Sequence, residues 1–158
     1  TGQAVLPQHI EPSIDFVLKI ARRYLFAPQL WGGRSPMGID ASGFTQMVFQ
    51  LAGLAMPRAV QQQLEMGKNI EFVDFVELSI PGDLAFFENK AGNINHVGII
   101  MPDGQIIHAA GQVRIDKIDH YGIYNEGLRK YTNRLRVCKR VLKPQSIVKK
   151  EKISSAHT

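Results

Sequence analysis

Cysteine is almost missing from this chain. Cys138 is the single one among 158 residues, so no disulfide can close within the chain and no cysteine-based zinc site can form. That excludes a small secreted domain stapled by disulfides and fits a cytosolic or bacterial-envelope protein. Long hydrophobic runs are missing too. No apolar stretch nears the roughly 20 residues that a membrane helix needs, so no membrane span is expected. The opening TGQAVLPQHIEPS carries neither a Met nor a charged-then-apolar leader, and the chain reads as a mature or excised portion of something longer. Internal repeats and low-complexity segments are absent. So are helix-turn-helix and zinc-finger patterns and any basic stripe interleaved with aromatics, which leaves nucleic acid outside the expected partners.

What remains has the composition of an ordinary globular domain, 44% hydrophobic and 21% charged, and its length suits one domain with a sizeable core. The net charge of +5 comes from 19 Lys and Arg against 14 Asp and Glu, part of it in the tail SIVKKEKISSAHT. A modest positive balance suits an anionic polymer such as a cell wall. The expected organisation is an N-terminal extension over 1–11, one domain over 12–143 and a basic tail over 144–158.

Residues 13 to 25 place Ile14, Val17, Leu18, Ala21, Tyr24 and Leu25 on one helical face, with Ser13 as N-cap. The breaker-rich FAPQLWGGRSPMGI then reads as a structured loop. A second helix is predicted from Asp40, with Phe44, Met47, Val48 and Leu51 at helical spacing and Gly53 as its stop. PRAVQQQLEMG predicts a short third helix stopping at Gly67. Beyond it, DLAFFE, HVGIIMP, QIIHAA, VRIDKI and RLRVCKRVL are strand-like and punctuated by turns such as PGD and PDG. Helices followed by an antiparallel meander make an α+β fold.

Two places can hold chemistry. At the start of the second helix, GIDASGF puts Ala41 where unpaired N–H groups and the helix dipole depress a thiol pKa and hold an oxyanion. Alanine itself has no chemistry, and an ordinary capped helix would read the same. The second place is a histidine pair. If residues 102 to 104 form a three-residue loop, Met101 pairs with Gln105 and Gly98 with His108. His96 and His108 then become diagonal neighbours on one face, a base and its orienter. A two-residue loop would put them on opposite faces. Two partly buried structural histidines are the alternative.

Together, WGGRSPMGIDASGF, MPRAVQQQLEMG, PGDLAFFE, HVGIIMPDG and IIHAAG resemble, in order and spacing, the NlpC/P60 cysteine peptidases, papain-like enzymes that cut bacterial cell-wall peptides. The likeness runs from about Pro12 to Leu142. It implies a papain-like α+β fold, N-terminal helices packed on a central antiparallel sheet, with no metal or cofactor. The parent activity it implies is hydrolysis of the γ-D-glutamyl to L-diamino-acid bond in peptidoglycan stem peptides or muropeptides. It also implies a bacterial envelope setting, periplasmic or secreted, or a cytoplasmic recycling role, with further N-terminal cell-wall-binding modules in the whole protein. The family's D-C-S-G-F is Asp40-Ala41-Ser42-Gly43-Phe44 here, so Ala41 stands at the nucleophilic cysteine. The resemblance assigns His96 as base, His108 as its orienter, and the backbone N–H at position 41 to the oxyanion. It assigns Asp40 and Ser42 to the free amine of a terminal L-alanine.

The family commonly has P-Y-x-W-G-G where this chain has Pro28-Gln29-Leu30-Trp31-Gly32-Gly33. Gln29 can still donate to an oxyanion, or it is a solvated loop residue. Trp31 is a candidate ligand platform or a loop-to-core anchor. Arg58 is a candidate partner for a substrate carboxylate, or a surface or capping cation. Ser42 is no substitute nucleophile, since one helical step turns a side chain by about 100°. Cys138 reads as a half-buried structural thiol. His9, His120 and His157 support no functional claim, and Phe86 and Phe87 read as core. Ala41 is either a cysteine replaced to trap substrate or the mark of a natural pseudoenzyme; retention of both histidines favours the first. A different cysteine-type amidase or acyl hydrolase is the remaining alternative.

Overall fold

The computed structural model describes residues 13–29, 33–35, 38–70 and 79–142. Helix α1 covers Ile14–Arg23, and the Ser13 hydroxyl caps it by accepting the Phe16 N–H at 3.1 Å. Asp15 in its first turn and Arg22 and Arg23 in its last complement the helix dipole. Val17, Leu18, Ala21 and Tyr24 are buried as the spacing predicts, and Ile20 joins them. The Tyr24 ring meets Phe44 edge-on at 5.9 Å. A two-residue ladder, β1 (Arg34–Ser35) with β2 (Gly38–Ile39), leads into α2, Ala41–Leu51.

The buried stripe of α2 lies elsewhere than the spacing predicted. Phe44, Val48, Phe49 and Ala52 are buried, while Leu51 is 56% exposed and Met47 only half-buried. The reason is that α2 packs on α1 and on two strands of the sheet at once, which turns the 44–48–49–52 arc inward. Gly53, at φ 100°, follows the C-cap Ala52 as expected. Helix α3 is only Val60–Leu64. It ends before Gly67, whose role is different: a Cβ there would lie 2.2 Å from the Arg140 carbonyl oxygen. Gly67 permits the close approach that starts β3 (Lys68–Ile70) against the final strand.

The remaining strands form an antiparallel meander: β4 (Leu84–Glu88), β5 (Ile94–Met101), β6 (Gln105–Ala110), β7 (Gln112–Ile118), β8 (Gly122–Asn125) and β9 (Lys130–Arg140). The five expected strands are present; β3 and β8 were not anticipated. The meander also closes on itself, because β9 pairs with β8 through its first half and with β4 through its second. The central antiparallel sheet is thus a six-stranded, barrel-like one with β3 added at β9. The alternation of each strand feeds two cores. Leu84, Phe86, Val97, Ile99, Met101, Ile107 and Ala109 face the helices with Phe44 and Val48. Phe87, Ile100, Ile106, Ile123, Leu135 and Cys138 form the second cluster. Each such fully buried large side chain contributes about 1.5–3 kcal/mol.

Asp83 fastens the start of β4 to the end of β9. Its carboxylate, 1% exposed, takes the Arg140 Nε and Nη2 hydrogen bonds at 3.0 Å each and the Ile80 N–H at 2.8 Å. Among the described residues, no helix is long and apolar enough to cross a membrane. The expected 1–11 extension and 144–158 tail lie outside the described residues.

Candidate active site

The turn between β5 and β6 is the three-residue loop that the histidine argument required. Met101 pairs with Gln105 and Gly98 with His108. His96 and His108 therefore share a face, and their rings meet edge-on with His96 Nε2 2.8 Å from His108 Nδ1. Gly98 makes room for this. A Cβ on it would sit 2.9 Å from the His108 Cβ and 2.7 Å from Ile106 Cδ1, so only hydrogen fits beneath the pair. Phe87, directly across from His96 in β4, closes the opposite side with ring centroids 5.8 Å apart.

The chain of polar groups extends further than the sequence reading took it. His108 Nε2 lies 2.8 Å from Asp116 Oδ2. Arg114 Nη2 donates to Asp116 Oδ1 at 3.1 Å, while its Nε lies 2.9 Å from Oδ2 as a charge contact without a hydrogen bond. Burial opposes ionisation of Asp116, but hydrogen bonds from His108 and Arg114 outweigh it and hold the carboxyl below its ordinary range. The signal for Asp116 was available in the register. In the β6–β7 ladder His108 faces Arg114 and Ile106 faces Asp116, so Asp116 is diagonal to His108 just as His96 is.

An ionised Asp116 fixes the tautomers. A carboxylate only accepts, so His108 Nε2 carries a proton and donates it. When His108 is neutral, its Nδ1 accepts and His96 Nε2–H is the donor. His96 is left with an unprotonated Nδ1, the nitrogen of a general base. Burial, reinforced by the neighbouring His108, pushes the His96 pKa down to about 3.

A second constellation surrounds Ala41, the first residue of α2. Asp40 caps the helix by accepting the Gly43 N–H at 2.7 Å through Oδ1. Its Oδ2 accepts from Arg58 Nη2 at 2.7 Å, and Arg58 Nη1 donates to Ser42 Oγ at 2.9 Å. Arg58 thus joins the two residues that flank Ala41, and its side chain remains 34% exposed. The turn is braced from below. Buried Gln63 donates to the carbonyls of Ser42 (2.9 Å) and Pro57 (2.8 Å), while Thr45 Oγ1 reaches Gln63 Oε1 at 2.6 Å. Neither Thr45 nor Gln63 was singled out in the sequence, where each reads as an ordinary helical polar residue. Inside a helix the N–H groups of Ala41 and Ser42 have no i−4 acceptor. Helix α2 packs on β5 and β6, the strands that carry the histidines.

Gln29 is exposed and tied to the β6–β7 turn: its backbone N–H donates to Gly111 O at 2.9 Å, and its Oε1 accepts the Gly111 N–H at 2.6 Å. Its amide nitrogen keeps its donors. Trp31 lies outside the described residues. Cys138 is 2% exposed, more deeply buried than expected; burial first, then the Asp83 charge, pushes its thiol well above the ordinary range. It belongs to the barrel core.

Comparison with known proteins bears on the family and the fold. The NlpC/P60 family matches residues 27–133. A γ-D-glutamyl-L-lysine dipeptidyl-peptidase of Bacillus subtilis is 35% identical over 95 residues, 59% of this chain and 31% of that protein. A probable endopeptidase p60 of Listeria monocytogenes is 36% identical over 107 residues, 67% of this chain and 21% of that protein. The chain thus spans between a fifth and a third of the length of these relatives. An NlpC/P60 family protein from Bacillus cereus superposes with a TM-score of 0.72 at 26% identity, covering 87% of this chain and 43% of its own.

Proposed function

The chain belongs to the NlpC/P60 family, and from that membership we propose that its parent form is a cysteine endopeptidase of peptidoglycan. The bond cut is γ-D-glutamyl to L-diamino acid in stem peptides or muropeptides, and the chain with Ala41 binds such peptides without cutting them. The observation that carries the reading is the hydrogen-bonded series His96–His108–Asp116 across β5, β6 and β7. A buried structural histidine pairs both ring nitrogens. This series leaves one basic nitrogen and backs it with a charge.

In the parent, a cysteine at position 41 loses its proton to His96 Nδ1, and the imidazolium is stabilised through His108 by Asp116. The thiolate attacks the scissile carbonyl carbon; a C–S bond forms and the carbonyl electron pair moves to oxygen. The N–H at position 41 stabilises that oxyanion, and Gln29, through its amide nitrogen, is the second donor. His96 returns the proton to the departing amine of the diamino acid as the C–N bond breaks. Water, deprotonated by His96, then splits the thioester. Asp40 and Ser42 meet the terminal ammonium of the peptide, with Arg58 holding both in place. The setting is the bacterial cell envelope, with further wall-binding modules in the whole protein.

A second reading is favoured by Ala41 itself: a natural binding module without catalysis. The test is Ala41→Cys incubated with L-Ala-γ-D-Glu-diaminopimelate, products identified by mass spectrometry. Release of L-Ala-D-Glu, abolished by His96→Ala, supports the disabled peptidase. A folded Ala41→Cys protein that cleaves neither this peptide nor longer muropeptides overturns it in favour of the binding module. Products cut at a sugar-peptide junction would indicate an amidase.

A further inference from the structure

Away from the histidines, the β8–β9 side of the barrel carries aromatic surface that the fold does not require. Tyr121 is 64% exposed and Tyr131 46%, with ring centroids 5.8 Å apart. Tyr124 packs edge-on against Tyr131 at 5.1 Å, and His120 lies 4.2 Å from Tyr121. Tyr124 and Tyr131 are direct cross-strand partners, which gives that pair a place in the sheet. Tyr121 has no such place: it sits in the turn before β8, its ring in water. Water penalises exposed rings, and a turn needs none, so such a patch marks a contact surface.

The rings are held rather than loose. Asp119 accepts the Tyr131 hydroxyl at 2.5 Å through Oδ2 and the Tyr121 backbone N–H at 2.8 Å through Oδ1. Tyr131 is the common wall of two open depressions. One, of about 880 Å³, continues past Asn133, Asn89 and Asn95; the other, of about 400 Å³, passes Asp103 and Lys117. Asn95 immediately precedes His96 in β5, its side chain on the opposite face of the strand.

The polar lining points to the ligand. Asn89 accepts the Ala91 and Asn93 N–H groups and Asn133 accepts the Thr132 hydroxyl, so both use their oxygens locally and keep their NH2 donors. Asn95 has no side-chain partner among the described residues and offers both a donor and an acceptor. Such groups match hydroxyls and acetamido groups. Formal charge balances across the two depressions: Lys90, Lys117 and Arg134 against Glu88, Asp103 and Asp119. A nucleic acid, whose binding rests on net positive charge, is disfavoured. Exposed tyrosine faces, amide donors and little net charge suit a sugar chain.

We propose that this groove is a glycan subsite that takes a chain of N-acetylated hexoses, Tyr121 and Tyr131 stacking on the sugar rings and the asparagines pairing with the acetamido groups. That the chain is the glycan of the peptidoglycan substrate rests on the peptidase reading above.

The test uses the Ala41 chain and an N-acetylglucosamine tetrasaccharide, with backbone NMR as the readout. Shifts centred on Tyr121, Tyr131 and Asn133 at millimolar saccharide are expected. Tyr121→Ala, exposed enough to leave the fold intact, should weaken binding by about threefold to tenfold, while Tyr121→Phe keeps it. Absence of shifts in the folded protein, shifts lying elsewhere, or displacement of the saccharide by oligodeoxythymidylate would overturn the assignment. Because this readout involves no catalysis, it separates from the Ala41→Cys assay. Saccharide binding with no peptide cleavage refutes only the peptidase reading, and peptide cleavage with no saccharide binding refutes only the subsite.

Discussion

Gly98 lies directly across the β5–β6 hairpin from His108, and its missing side chain leaves room for the His108 Cβ and the Ile106 side chain beside the His96–His108 contact. The contact therefore depends on a residue that takes no part in it. Gly98→Ala should force the His108 and Ile106 side chains apart at a cost of about 1–3 kcal/mol. Urea denaturation reads the cost, and the His96 ring resonances read the broken contact. An unchanged midpoint with unchanged resonances would refute this role for Gly98.

Asp116 acts through His108, and its removal should be felt in the base. In the Ala41→Cys background, Asp116→Asn leaves an amide that accepts more weakly and no charge behind the histidines. The expected loss in kcat is about 10-fold to 100-fold, the scale of outer partners that orient a working histidine. The acidic limb of the pH profile should move with it, since His96 then holds its proton less well. A loss confined to thermal stability, with the pH profile in place, would make Asp116 merely structural.

His96 also sets an acid limit on the Ala41 chain. Its pKa is about 3 when folded, against an ordinary value of 6.5. Between these values the unfolded chain takes up a proton that the folded chain refuses. Stability is thus fully present above pH 6.5 and falls with pH through this window, at up to about 1.4 kcal/mol per pH unit. Asp116, whose folded pKa is also lowered, adds a loss of the same sign below the ordinary carboxylate range. Denaturation midpoints across this range, with His96 ring titration by NMR, check both. A His96 ring that titrates near pH 6 would contradict the assignment.

The Asp83–Arg140 pair is buried enough that breaking one side strands the other. Arg140→Met should destabilise by about 3–5 kcal/mol. Burial already raises the Asp83 pKa against the pull of Arg140, so the stranded carboxyl should take up a proton and the loss should shrink in acid. A midpoint shift independent of pH would show that only packing was lost.

What the sequence disclosed was governed by local geometry. The PDG turn left two loop lengths open; the structure has the three-residue one, and period-two alternation then makes the histidine pair legible. Asp116 was hidden because its place opposite Ile106 is set by the tight turn at Gly111, which pairs Ala110 with Gln112. Leu51 misled because helical spacing gives a stripe but not which neighbours press on it; α1 and the sheet together rotate α2. Barrel closure was hidden because no local pattern says that residues near 86 will meet residues near 137. Arg58 could be read as a surface cation or a carboxylate partner, and its contact with Asp40 and Ser42 emerges only when the α2–α3 connection folds back.

Strand β9 pairs in turn with β8, β4 and β3 along its 11 residues. During synthesis it leaves the ribosome last of the barrel strands, so until then β4 and β8 both present bare hydrogen-bonding edges. Such contacts, some 50 residues apart in sequence, are slow to form, and open edges recruit other chains. The productive step is therefore a single late docking. Chains interrupted before Lys130 should aggregate rather than persist as a smaller stable core, however complete their α2 helix and histidine hairpin.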